Sequence, residues 1–123
     1  MVFEKNRQNY YVPITIIYMG ILAYLQLRNP LGNNNAGISS VKQLLHNLAH
    51  IPAYAVLAWL VLKFFFKVDF RAKIYATVIA SAYGILMELL QSLAPGRFAS
   101  LGDVFLNTFG ILIIILWSRE KKI

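Results

Sequence analysis

Long apolar runs separated by short polar joins dominate the chain. The runs extend from about Tyr11 to Leu27, Leu44 to Phe66, Ala72 to Leu93 and Leu101 to Trp117. Each is roughly 17–23 residues, close to the length a helix needs to cross a hydrocarbon core at about 1.5 Å per residue. Strands are the alternative, because the runs are rich in Ile, Val, Phe and Tyr. They are excluded, since the runs do not alternate polar with apolar and are too long for barrel strands. With no water in a bilayer core, the backbone must satisfy its own hydrogen bonds, and helices do so. The pattern predicts an all-α fold: one domain, residues 1–123, as a polytopic bundle of four transmembrane helices.

The joins fit this division. Residues 28–40 read RNPLGNNNAGISS, a Pro, Gly and Asn cluster suited to a solvated loop. The second join carries Lys63, Lys67, Asp69, Arg71 and Lys73, the third reads APGRFAS, and the tail is basic. Lys5 and Arg7 ahead of an apolar run suggest a signal peptide, but no small-x-small cleavage site follows. The first helix is therefore expected to remain uncleaved.

Polar residues inside the apolar runs are the exceptions to the pattern. They are costly in a membrane and by default point to function. His46, Asn47 and His50 open the second run, Glu88 and Gln91 close the third, and Asp103 and Asn107 open the fourth. Helical spacing turns these into stripes: His46, His50 and Tyr54; Ser81, Gly84, Glu88 and Gln91; Asp103, Asn107 and Gly110. The small residues among them favour close helix packing. Three facing stripes predict a polar pocket at one membrane face, with Arg97 in the adjoining loop. Simpler structural roles stand beside this reading. Pro95-Gly96 suits a type II turn. Ser100 and Asp103 resemble a capping box with Asp in place of Glu, and Asp103 also complements a helix N-terminus. Arg97 suits either a phosphate head group or an ion pair with Glu88 or Asp103. His50 suits packing, and Asn107 suits interhelical hydrogen bonding to Gln91 or Glu88.

Composition sharpens the orientation. The chain is 59% hydrophobic and carries 12 basic against 5 acidic residues, a net charge of +7. If the N-terminus is inside, Lys5, Arg7, Lys63, Lys67, Arg71, Lys73, Arg119, Lys121 and Lys122 lie inside. Arg28, Lys42 and Arg97 lie outside. This bias predicts a multi-pass protein of the cell membrane with both termini cytoplasmic and the polar stripes at the outer face. Contact with anionic inner-leaflet lipid accounts for the surplus charge, so nucleic acid is not needed as a partner. The absence of cysteine excludes disulfides and thiolate metal sites. No cofactor motif or known metal-ligand spacing is present.

Two segments resemble the VanZ-like family of small bacterial membrane proteins. NLAHIPAYAVLAWL is similar to its His-x-x-x-Tyr segment. YGILMELLQSLAPGRFASLGDVFLNTFG is similar to its second signature: Glu-x-x-Gln, Pro-Gly-Arg, then Ser-x-x-Asp-x-x-x-Asn-x-x-Gly. The resemblance covers the second to fourth runs. One departure is that His46 and Asn47 stand where family members often carry Asp-Lys, which removes a charge pair. The resemblance implies a link to lipoglycopeptide resistance, as for the teicoplanin-resistance member, and implies no established reaction.

The first functional expectation is a binding protein. Its ligand would be a lipid-linked or amphipathic envelope component held by His50, Tyr54, Glu88, Gln91, Arg97, Asp103 and Asn107. The second is a structural or regulatory subunit of a membrane assembly, and oligomers suit so small a bundle. The third is an enzyme acting on an envelope lipid, with His50 and Glu88 or Asp103 as acid and base. A metal held by His50, Glu88 and Asp103 is a variant of the third.

Overall fold

The computed structural model describes residues 2–27, 45, 47–65, 67–93 and 101–119, with side chains from residue 9 onward. Its regular elements are α1 (Val2–Leu27), α2 (His50–Leu62), α3 (Phe70–Ser92) and α4 (Leu101–Trp117). The fold is an all-α four-helix bundle.

Local chemistry explains where the helices depart from the apolar runs. Helix α1 begins at Val2, well before the apolar run, and continues through Pro13. Helix α3 begins two residues earlier than its run predicts, because Asp69 caps it. The Asp69 side chain accepts from the Ala72 N–H at 2.9 Å, supplying one of the partners a helix start lacks.

The largest difference is in α2, whose regular helix covers 13 residues. Leu45, Asn47 and Leu48 are already helical, and the Ala49 N–H donates to the Leu45 carbonyl at 3.0 Å. Pro52 then has no N–H to offer the Leu48 carbonyl, so the ladder is interrupted at the turn around Ala49. At the other end, the N–H groups of Phe64 and Phe65 donate to Val61 and Leu62 at 3.0 and 3.2 Å. These i to i−3 bonds tighten the final turn and end the α-helix early.

Among the described residues, the helices both long and apolar enough to cross a membrane are Asn9–Leu27 and Phe70–Ser92, each with mean hydropathy 1.4. Helices α2 and α4 are apolar but have 13 and 17 residues. They rise about 20 and 25 Å, against a hydrocarbon core of about 30 Å. Two of the four helices in the bundle thus meet the length and hydropathy expected of a full membrane span, and the other two are shorter apolar helices.

The helices run up, down, up and down. One end, called the upper end here, gathers the C-termini of α1 and α3 and the N-termini of α2 and α4. Helix α2 is central: it packs on all three others, most extensively on α4. Among the described residues α1 and α4 do not meet. Ala72, Ala76 and Ala80 form a buried small-residue stripe on α3, and Tyr54, Leu57, Ala58 and Val61 of α2 are fully buried. Gly110 has a stronger role. A Cβ there would fall 2.1 Å from the Ile51 carbonyl oxygen, so α4 rests directly on the α2 backbone.

The distribution of polarity is inverted relative to a water-soluble bundle. Ile16, Leu89 and Leu116 are 64%, 58% and 81% exposed, whereas Glu88 and Asn107 are 3% and 2% exposed. An apolar exterior on this scale is consistent with contact with membrane lipid.

Candidate functional site

Near the upper end the bundle interior becomes polar. Gln26 of α1, His50 and Tyr54 of α2, Glu88 and Gln91 of α3, and Asn107 of α4 are all buried there. They reach this layer through helix periodicity. His50 and Tyr54 are one turn apart, Glu88 and Gln91 nearly so, and each helix turns this stripe inward.

His50 and Asn107 join α2 to α4. The His50 Nδ1 stands 2.8 Å from Asn107 Oδ1. An amide oxygen only accepts, so Nδ1 carries the proton and donates. The His50 and Tyr54 rings are nearly parallel, 15° apart with centroids separated by 6.4 Å.

Tyr54 joins α2 to α1. Its hydroxyl sits between both ends of the Gln26 amide, accepting from Nε2 and donating to Oε1 at 3.2 Å each. Gln91 joins α3 to the same residue, with Nε2 donating to the Gln26 carbonyl at 2.9 Å. Below this layer Tyr18 donates to the Ala53 carbonyl at 2.6 Å, and Tyr83 donates to the Met19 carbonyl. Tyr54 and Tyr83 face each other with ring centroids 6.2 Å apart.

Gly84 makes the convergence possible. A Cβ at Gly84 would lie 3.1 Å from both Asn107 Nδ2 and Tyr54 Cε1, so its missing side chain admits groups from α2 and α4. Glu88 lies one turn above Gly84 and nearly one turn below Gln91. Its side chain is buried in the same layer. Asn107 Nδ2 is buried and has no hydrogen-bond partner among the described residues. Leaving such a donor unmade costs about 1–3 kcal/mol, and in a native interior it calls for an explanation.

The remaining predicted site residues are placed differently. Asp103 lies in the first turn of α4, one turn above Asn107, and is half-buried. A carboxylate there complements the helix dipole. Arg97 and His46 lie outside the described residues, as do Pro95, Gly96 and Ser100. The predicted pairing of Asn107 with Gln91 or Glu88 is replaced by its bond to His50. Among the described residues no three His, Asp or Glu side chains form a set able to hold a metal ion. His50, Glu88 and Asp103 therefore do not converge as ligands.

Gln26 is the residue the three-stripe reading omits. Its signal is present in the sequence: Thr15, Leu22 and Gln26 recur at helical spacing with Tyr18, and Thr15, Leu22 and Gln26 are buried. The polar layer is thus built from all four helices.

The VanZ/LLP1 family model matches residues 3–119, nearly the whole chain. The chain belongs to the VanZ/LLP1 family. No curated protein and no solved structure matches it. The VanZ/LLP1 match extends beyond the two segments that carry the sequence resemblance. It takes in α1, the helix that supplies Gln26 to the polar layer.

Proposed function

We propose that this protein is a membrane-embedded binding protein. Its polar layer faces outward and holds the polar part of a lipid-linked or amphipathic envelope ligand. Membership of the VanZ/LLP1 family supports a general role at the cell envelope. The family resemblance suggests that the role is connected with lipoglycopeptide resistance of the teicoplanin type. In this reading all four helices traverse the bilayer with both termini cytoplasmic, and the short α2 and α4 let water and ligand approach the layer from outside. Arg97, in the join between α3 and α4, contacts an anionic group on the ligand. His50, Tyr54, Glu88, Gln91, Asp103 and Asn107 supply directional hydrogen bonds.

One observation carries the reading. Six polar side chains from four helices are buried at one level of a bundle with an apolar exterior, and the Asn107 Nδ2 donor among them has no partner among the described residues. The test is equilibrium binding of a lipid-linked cell-wall precursor to the protein in nanodiscs. Saturable binding that is lost on Arg97→Ala supports the proposal. An absence of saturable binding to any envelope lipid ends it.

A second reading is structural. The hydrogen bonds from His50 to Asn107 and from Gln91 and Tyr54 to Gln26 stitch the helices together without a ligand. On that reading the layer fixes helix register, and the protein serves as a subunit of a membrane assembly or as an oligomer. Glu88→Gln and Asp103→Asn would then lower stability while leaving antibiotic resistance unchanged.

A further inference from the structure

The lower end of the bundle carries a different feature. A cavity of about 400 Å³ opens where α2 and α4 end and the chain turns toward α3. Its wall is divided by chemistry. Leu62, Val68 and Ile114 line the apolar part, and Lys63, Ser118 and Arg119 line the polar part. Trp59 and Trp117 stand beside them, one from each helix.

Each class of residue has a distinct use here. Trp side chains favour the boundary between hydrocarbon and head groups, where the ring is accommodated and the N–H stays wet. The Lys63 ammonium lies 5.0 Å from the Trp59 ring centroid, which holds a long, mobile side chain over the cavity. Arg119 presents a planar fork that matches phosphate oxygens. The surroundings reinforce the sign: Lys67, Arg71 and Lys73 lie at this end, and the Asp69 carboxylate is engaged as the cap of α3.

We propose that this cavity binds one anionic phospholipid. The phosphate head group sits between Lys63 and Arg119, and the first part of an acyl chain lies against Leu62, Val68 and Ile114. The aliphatic floor selects a lipid over a soluble anion, and the two cations select an anionic head group over a zwitterionic one. This site is separate from the polar layer at the upper end and does not depend on the ligand proposed there.

The experiment is native mass spectrometry of the full chain released from detergent. The probes are phosphatidylglycerol, phosphatidylcholine with the same acyl chains, and inorganic phosphate. The expected result is retention of one phosphatidylglycerol with a preference of about tenfold or more over phosphatidylcholine, the scale two basic side chains supply near an anionic surface. The double variant Lys63→Gln, Arg119→Gln should abolish the preference. Arg71→Gln with Lys73→Gln, which removes equal charge outside the cavity, should preserve it. The proposal is overturned if both double variants lose the preference equally, which is diffuse attraction, or if inorganic phosphate displaces the lipid. It is also overturned if the Lys63, Arg119 variant unfolds more easily yet keeps the preference. That result would mean that the cations only complement the C-termini of α2 and α4.

Discussion

Gly110→Ala is the most demanding test of the packing that supports the polar layer. The added methyl would lie 2.1 Å from the Ile51 oxygen, 2.9 Å from its carbonyl carbon and 3.1 Å from its Cα. An ordinary carbon–oxygen approach is about 3.3 Å, so α2 and α4 must separate by roughly 1 Å. All three obstructing atoms belong to backbone in a helix, and no rotamer change relieves them. The affected pair is the most extensive helix interface in the bundle. A gap of that size forfeits about a quarter to a half of the dispersion energy of each contact it opens. Together with the steric strain this places the loss at about 3 kcal/mol, the upper end of the overpacking range. The separation also reaches the site, because Ile51 follows His50 and Asn107 lies one turn from Gly110. A 2.8 Å His50–Asn107 bond stretched by that amount is no longer a hydrogen bond. The assay is reversible unfolding in mixed micelles, with the His50 Nδ1 proton followed by NMR. Gly20→Ala is the matched control, since nothing lies within 4 Å of its added methyl. It should be neutral, or stabilising by up to about 1 kcal/mol through helix propensity. Equal stability of the two variants, with the His50 proton resonance unchanged, would refute the close α2–α4 contact.

Three further substitutions probe separate parts of the account. Asp69→Ala removes the α3 cap and should cost about 1 kcal/mol in the same unfolding assay, with Asp69→Asn retaining most of the stability. Tyr54→Phe removes only the hydroxyl that sits between the Gln26 amide atoms. Interhelical hydrogen bonds of this kind average about 0.6 kcal/mol in membrane proteins, so a loss far above that range would mean a larger role for Tyr54. Gln26→Leu should cost more than Tyr54→Phe in unfolding measurements, because it leaves the buried Tyr54 hydroxyl without that partner and removes the Gln26 amide from the layer. A smaller cost would place Gln26 outside the layer.

The parts of this fold that depend on one helix at a time were legible in the sequence. Apolar runs locate the helices, and spacing locates the stripes that carry His50, Tyr54, Glu88, Gln91 and Asn107 to the interior. Asp69 and Pro52 were equally open to reading: a carboxylate directly ahead of a helix is a cap, and a proline early in an apolar run interrupts its ladder. The Gln26 contribution was harder, because a glutamine at the last turn of a helix also suits an exit to solvent. The partner choices were not legible. Whether Asn107 meets His50 or Gln91 depends on the axial offset and rotation of α4 against α2. Those are set by the backbone contact of Gly110 with Ile51, a tertiary fact with no sequence signature beyond a glycine on the stripe.

The central claim is that the polar layer receives a ligand and does more than hold helices together. The direct measurement is a binding isotherm for a lipid-linked cell-wall precursor in nanodiscs, taken on the unsubstituted protein and on Glu88→Gln. That substitution keeps the shape of a side chain buried to 3% exposure and removes its capacity for charge. The account predicts saturable binding to the unsubstituted protein and at least about tenfold weaker binding to Glu88→Gln, equivalent to roughly 1.4 kcal/mol, with the unfolding midpoint retained. Equal affinity for the two proteins, or no saturable binding to either, would contradict it.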